Sequence, residues 1–297
     1  MDSPLVSVVL TTHKREPSMV KRSIMSVLNQ TYRNIELIVV DDSPDNFEDR
    51  IKVEKMIKSI KDNRVKYIKN EENIGACASR NIGISFSRGT YIMYFDDDDV
   101  LLPRKIELSL GKFKDGDVGL VYSENYVIDA EGRKRHVKNK KISGNVFDEL
   151  IKENFVLAFP LLRKESLEVC GKFDPGMQSM QDYDLWLRIA KKYKFEYVSE
   201  PLSIVYHHIG ERISTDSSKK VQGAERIYEK HYEYLQSNRT ANSVRLLKLA
   251  RLYMSNNQIN KAKKTWVKAW MIAPYNLYEN IRHSIVLLKN LVKTKLN

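Results

Sequence analysis

Only two cysteines occur in the 297 residues, Cys77 and Cys170, and they share no metal-ligand spacing. That excludes a disulfide framework and a zinc cluster, and points to reduced thiols in a cytosolic setting. Long apolar runs are also missing. FVLAFPLL and SIVLL fall far short of the roughly 18 residues that a membrane span needs. MDSPLVSVV lacks the basic region and apolar stretch of a signal peptide, so a cytoplasmic location is expected. No helix-turn-helix, zinc-finger or RNA-recognition signature is present, so nucleic acid is not the expected partner of the +12 net charge. Neither a G-x-G-x-x-G fingerprint nor a Walker A sequence is found. The excess lysines lie in RKRHVKNKK and after Lys219, which suits an anionic membrane surface carrying phospholipid-linked substrates.

What is present is a soluble globular composition, 42% hydrophobic and 30% charged, enough for a sizeable core. VSVVLTT, IELIVVDD, VKYIKN and YIMYF read as strands. PSMVKRSIMSVLNQT, FEDRIKVEKMIKSIKD and NIGACASRNIGISFSRG read as helices between them, the last ending at Gly89. This alternation predicts an α/β fold with a mostly parallel sheet. VGLVYSENYVIDAEGRKRHV predicts a hairpin turning at Ala130-Glu131-Gly132. QDYDLWLRIAKKY predicts an amphipathic helix, and FEYVSEPLSIVYHH two short strands around Pro201. Residues 1–218 are expected to form the α/β domain and 219–297 a C-terminal helical region. Within that region ARLYMSNNQINKAKKTWVKAWMIAPYN has the spacing of a tetratricopeptide-like helix pair. YENIRHSIVLLKNLVKTKLN is basic and amphipathic, either a packed terminal helix or a membrane-surface anchor.

Chemistry concentrates at strand ends, where open α/β sheets bind ligands. Three polar clusters stand there: Thr11-Thr12-His13, Asp41-Asp42 and Asp96 to Asp99. Four adjacent carboxylates repel one another and invite a hard divalent cation with oxygen ligands. In an extended chain Asp96 and Asp98 share one face, and Asp97 and Asp99 the other. Gly75 can let the backbone approach a ligand, and Arg80 offers a guanidinium to a diphosphate.

VSVVLTTHKRE, SVLNQTYRNIELIVVDDS, NIGACASRNIGI, SRGTYIMYFDDDDVLLP and QDYDLWLRIA, in that order, resemble glycosyltransferase family 2 over roughly residues 5–215. The resemblance implies a nucleotide-diphospho-sugar transferase of the GT-A fold that inverts the anomeric centre. It implies that Thr11 to His13 and Asp42 contact the nucleoside base, and that Arg80 lies near the base or the diphosphate. The DDDD block matches the family's D-x-D element. Asp98 is then the expected ligand of Mg²⁺ or Mn²⁺, with Asp96 or Asp97 near the ribose or a metal-bound water. Gln181-Asp182 keeps the second acid of the family's acidic pair, which makes Asp182 the expected catalytic base, but lacks the first. His207 and His208 fall where the family has a loop closing over the donor, and His208 is the expected contact to metal or diphosphate. The donor is expected to be a nucleotide-sugar, by family habit a UDP-sugar, and the acceptor a glycan or lipid-linked hydroxyl. A sugar nucleotidylyltransferase and a non-catalytic scaffold using the helical tail are the alternatives. The first lacks its glycine-rich loop in TTHKRE, and the second sits poorly with retention of both DDDD and Asp182.

Overall fold

The computed structural model describes residues 3–207, 216–282 and 284–285. The chain divides into two compact units: Met1–Phe147, Asn154–Pro175 and Leu185–Ile209 form one, and Asp148–Glu153, Gly176–Asp184 and Gly210–Asn297 the other.

The first unit is built on one nine-stranded sheet. Strands β1 (Val6–Thr12), β2 (Ile35–Asp41), β3 (Val65–Lys69) and β4 (Tyr91–Asp96) alternate with helices α1 (Pro17–Leu28), α2 (Arg50–Ser59) and α3 (Ala76–Phe86). These four strands are parallel, in the order β3-β2-β1-β4. Every residue of β2 is buried, as a strand covered on both faces requires. On β1 the faces separate with the two-residue period: Val6, Val8 and Leu10 join Val20, Ile24 and Val27 of α1 in the main core. Val9 points the other way, against α3. A Cβ on Gly83 would stand 2.2 Å from Val9 Cγ1, so this helix packs on the sheet only because Gly83 has no side chain. Helix α3 ends at Phe86, before the Gly89 predicted to stop it. Gly89 instead lets the chain pass close to Leu5 and Ser7 as β4 begins.

Beyond β4 come β5 (Val100–Leu101), α4 (Lys105–Leu110), β6 (Val118–Ile128), β7 (Lys134–Val137), α5 (Phe147–Leu150), β8 (Leu161–Arg163), α6 (Lys164–Cys170), α7 (Gln181–Ala190) and β9 (Lys194–Tyr206). The sheet continues β4-β8-β6-β9-β5, with β7 paired to β6 as the predicted hairpin. Strand β8 is antiparallel to both β4 and β6, so β6 runs in the direction of β4. The two strands expected around Pro201 are a single strand, β9. A register shift against β6 between Ser123 and Glu124 absorbs the proline, which has no N–H to give.

The second unit is helical. It contains α8 (Ser217–Lys230), α9 (Tyr232–Ser237), α10 (Arg239–Ser255) and α11 (Ile259–Ile272), together with the first turn of α7. Asp216 caps α8 by accepting from the Ser218 and Lys219 amides. Helices α10 and α11 form a hairpin whose turn carries Asn257 at φ 57°. Val221, Ala224, Leu249, Ala250, Tyr253, Met254 and Ala262 make its core. Among the described residues, no helix is long and apolar enough to cross a membrane.

Candidate active site

Sheet register brings the polar strand ends together. Thr11 pairs with Val40 on one side and Asp96 on the other, and Thr12 pairs with Asp41. The Asp42 amide donates to the Thr12 carbonyl (2.9 Å). The three clusters are therefore neighbours at one edge of the sheet, at the carboxyl ends of β1, β2 and β4.

The acidic turn keeps the alternation of an extended chain. Asp97 and Asp99 are buried, and Asp96 and Asp98 are not. Arg15 is shared by two of the acids, and the other two have separate partners. Arg15 Nε donates to Asp97 (2.9 Å), and its terminal nitrogen pairs with Asp98 (3.1 Å). The His13 amide also donates to Asp97 (3.3 Å). Arg80 pairs with Asp96 (3.1 Å) and lies over the Phe173 ring. Asp99 accepts from the Tyr206 amide (2.8 Å). From α1, Arg22 donates to the Asp98 carbonyl and stacks on Tyr206, while Ser23 Oγ donates to the Asp99 carbonyl (2.7 Å). Burial pushes the Asp97 carboxyl up to about 6 against the pull of Arg15. Burial draws the Arg15 guanidinium down, but Asp97 and Asp98 outweigh it, so its proton is held more tightly than usual.

Asp42, His13 and Lys14 are held largely by backbone groups. Asp42 accepts from the Ile74 and Gly75 amides (both 2.9 Å) and from the Asn70 side chain (2.8 Å). Three of its four lone-pair positions are thereby used, and its carboxylate anchors the loop that leads into α3. Gly75 makes this possible: its φ of 86° at the N-cap is a conformation that other residues rarely adopt. His13 is exposed, and its ring Nδ1 lies 2.9 Å from the Asp42 carbonyl, which only the Nδ1–H tautomer satisfies. Lys14, next to it, is held at φ 48° with its amide on Ser43 Oγ (2.9 Å).

Asp182 lies in the second unit, exposed in the first turn of α7, with its Oδ1 accepting from the Tyr183 amide (2.7 Å). Met180, just before the helix, holds φ 58°. Asp184 differs from Asp182: it is fully buried and paired with Lys230 (2.8 Å), a structural role. His208 lies outside the described residues.

Sequence reading missed Arg15, Arg22 and Ser23. Their signal was faint: two arginines seven residues apart, straddling the start of the helix after β1. Nothing local says that this helix end folds onto a turn over 70 residues away.

A divalent cation can be tested against these donors. Among the described residues, no three His, Cys, Asp or Glu side chains gather as a metal cage. Two carboxylates remain accessible, with Asp96 and Asp98 side chains 47% and 15% exposed. One or two hard oxygen donors, completed by substrate phosphates, is the usual protein contribution to Mg²⁺. The residues present fit such an ion.

The family model of glycosyl transferase family 2 matches residues 7–171. The chain belongs to that family. An uncharacterized glycosyltransferase of Methanocaldococcus jannaschii is 36% identical over 67% of this chain and 70% of its own length. The putative colanic acid biosynthesis glycosyl transferase WcaA of Escherichia coli is 32% identical over 77% and 82%. A third relative, the UDP-Glc:alpha-D-GlcNAc-diphosphoundecaprenol beta-1,3-glucosyltransferase WfgD of Escherichia coli, is 30% identical over 64% and 72%. Two solved structures share the fold. A mannosyltransferase from Pyrobaculum calidifontis in complex with GDP-Man and Mn²⁺ has a TM-score of 0.63 at 15% identity, covering 98% of this chain and 86% of its own. Staphylococcus aureus TarS in complex with UDP-GlcNAc has a TM-score of 0.62 at 12% identity, covering 97% and 92%. At those identities the likeness establishes the GT-A fold alone. This family 2 member is thus an enzyme that transfers glycosyl groups.

Proposed function

We propose that this glycosyltransferase moves a sugar, with inversion, from a UDP-sugar to a hydroxyl of a glycan or lipid-linked acceptor. The observation that carries the reading is the acidic turn Asp96–Asp99, with Arg15, Arg22 and Arg80 around it, beside the ends of β1 and β2. The UDP choice draws support from the donors in the names of WfgD and TarS, against GDP-Man for the mannosyltransferase.

Asp98, with Asp96, would hold Mg²⁺ or Mn²⁺. When bound, such an ion offsets the negative charge that grows on the leaving diphosphate. Arg80 and Arg15 are near enough to those carboxylates to share that task, since a guanidinium pairs two phosphate oxygens at once. His13, with its ring orientation set by the Asp42 carbonyl, and Thr11 line the base side. Asp182 is assigned as the base. An acceptor hydroxyl is a poor nucleophile near neutral pH, and a carboxylate that takes its proton during attack lowers the barrier. Its exposure and its bond to the Tyr183 amide suit that role. One base acting opposite the leaving group gives a single displacement, which inverts the anomeric carbon.

Asp182→Asn is expected to keep nucleotide-sugar affinity and lose at least about a hundredfold in transfer, the usual size of a general-base contribution. Free nucleotide and glycosylated acceptor are the products to measure; near-normal turnover in the variant removes Asp182 as base.

The enzyme is also proposed to work on the cytoplasmic face of a membrane. Val267, Met271, Leu277, Tyr278 and Ile281 are exposed, and Val267 and Met271 share α11 with the exposed Lys263, Lys264 and Lys268. A groove of about 800 Å³ opens among the same lysines and Arg239. Apolar side chains ringed by lysines suit an anionic lipid surface.

A further inference from the structure

We propose that His136 hydrogen-bonds a hydroxyl of the sugar being transferred, and that Glu124 and Tyr197 set its ring for that contact. The proposal rests on the nucleotide-sugar reading and adds to it a residue that selects the sugar.

Three side chains are linked in series. Glu124 of β6 is buried, and its two carboxylate oxygens face different partners. Oε2 lies 2.5 Å from His136 Nε2 on β7, and Oε1 accepts from the Tyr197 hydroxyl on β9. Burial, reinforced by Glu124, holds the Tyr197 proton well above the ordinary phenol range, so Tyr197 is the donor and Glu124 the acceptor. A carboxylate can only accept, so His136 must turn an Nε2–H towards it. The ring's other nitrogen, Nδ1, has no hydrogen-bond partner among the described residues. His136 itself is exposed, and its ring centre lies 5.4 Å from that of Tyr126. An ion pair at an exposed ring adds little to stability. Fixing one ring nitrogen on a carboxylate does set what the other nitrogen offers a ligand.

Sheet register places that nitrogen beside the donor seat. Met93 of β4 and Val121 of β6 are both register partners of Leu161. Asp96 and Glu124 each lie three residues further along these parallel strands, so they stand level and face the same side. The extra residues at the register shifts after Val121 belong to β9, so β6 keeps its alternation through Tyr126. Because β9 holds one edge of β6, β7 pairs on the other edge, the one that leads through β8 to β4. His136 is the register partner of Tyr126, and cross-strand partners share a face. It therefore stands between β6 and β4, on the face of Asp96 and at the ligand end of the sheet. Asp96 and Glu124 are two strand spacings apart, roughly 10 Å. A diphosphate held at Asp96 and Asp98 would carry its sugar into that gap, with His136 Nδ1 as an acceptor for one of its hydroxyls.

The test uses the full chain with Mn²⁺ present. UDP, UDP-glucose, UDP-N-acetylglucosamine, GDP and GDP-mannose are titrated into wild type, H136A and E124Q. H136A should bind the nucleotide-sugar that wild type prefers about three- to tenfold more weakly, the size of one hydrogen bond, and the bare nucleotide as wild type does. E124Q keeps the imidazole but no longer dictates Nε2–H, and should lose the same sugar-dependent affinity. Nitrogen-15 spectra of the histidines give an independent reading. In wild type the His136 Nδ1 resonance should move with the nucleotide-sugar and stay put with the nucleotide. The proposal is overturned if that resonance ignores the sugar, or if H136A loses affinity for nucleotide and nucleotide-sugar equally. It is equally overturned if H136A binds both as wild type does, even where its KM for an acceptor rises. An E124Q protein that folds and binds like wild type removes the orienting role of Glu124; if it does not fold, H136A and the wild-type spectra still decide for His136. A wild type that binds GDP-mannose and neither UDP-sugar fails the UDP reading alone, and His136 is then judged against GDP. Binding of no nucleotide-sugar removes both.

Discussion

Asp97 and Asp98 are adjacent in sequence and opposite in environment. Their side chains are 4% and 15% exposed, and Arg15 bridges them. A buried carboxylate needs such a partner, because leaving it unpaired costs more than the pair gains. Arg15→Gln should therefore lower the urea midpoint, by about 1–3 kcal/mol in stability given that Arg15 is about a third exposed. It should also let Mn²⁺ alone bind several-fold more tightly, since a competing cation has left Asp98; a calorimetric titration reads this directly. Lys105 poses the reverse case. It is fully buried, burial lowers its ammonium to about 7, and its Nζ donates to Ser123 Oγ (2.7 Å). The unfolded chain holds that proton up to about 10.5, so between pH 7 and 10 the unfolded state binds more protons and stability must rise with pH. Below pH 7 both states are protonated and the burial cost is felt in full. Lys105→Met should remove this slope: urea midpoints of wild type and variant should converge as pH rises from 7 to 10.

At the scale of elements, the loop from Asn70 to Gly75 is the hinge between sheet and site. Asp42 collects its amides, and Gly75 holds φ 86° at the start of α3 without the strain a side chain would bring. Gly75→Ala meets no steric obstacle, with nothing within 4 Å of the added carbon, so its cost is conformational, about 1–3 kcal/mol. UDP-sugar affinity should fall with stability, and a variant that melts and binds like wild type would show that the loop does not shape the donor seat. Helix α1 acts as a second element of the site: its side chains Arg22 and Ser23 hold the main chain of the acidic turn. The element pattern itself was legible because β2 and β4 are nearly continuous apolar runs, broken only by Glu36 before their terminal aspartates, and α1 repeats its apolar residues at helical spacing. The proline in β9 was not, since a strand that bulges around proline looks locally like two strands.

For the molecule as a whole, the +12 charge is unevenly spread. The acidic turn carries its own arginines, while lysines collect on the β7 edge and on α11. If α11 and the residues after it meet a bilayer, Lys263, Lys264 and Lys268 changed together to Glu should abolish co-sedimentation with phosphatidylglycerol vesicles and spare turnover on a soluble acceptor. Unchanged sedimentation would remove this surface from the account.

The amino-acid sequence by itself determined the family, the α/β alternation and the three polar strand ends, because these are written in local periodicity and short motifs. It also divided the four aspartates into two faces, since an extended chain alternates. Only the tertiary structure decided which face is buried and which guanidinium meets which acid. It also showed that Asp42 spends most of its carboxylate on a loop and that the basic hairpin stands at the ligand end of the sheet. Those facts depend on strand register and on contacts between residues up to about a hundred positions apart, such as Asp99 with Tyr206, and no local pattern encodes them.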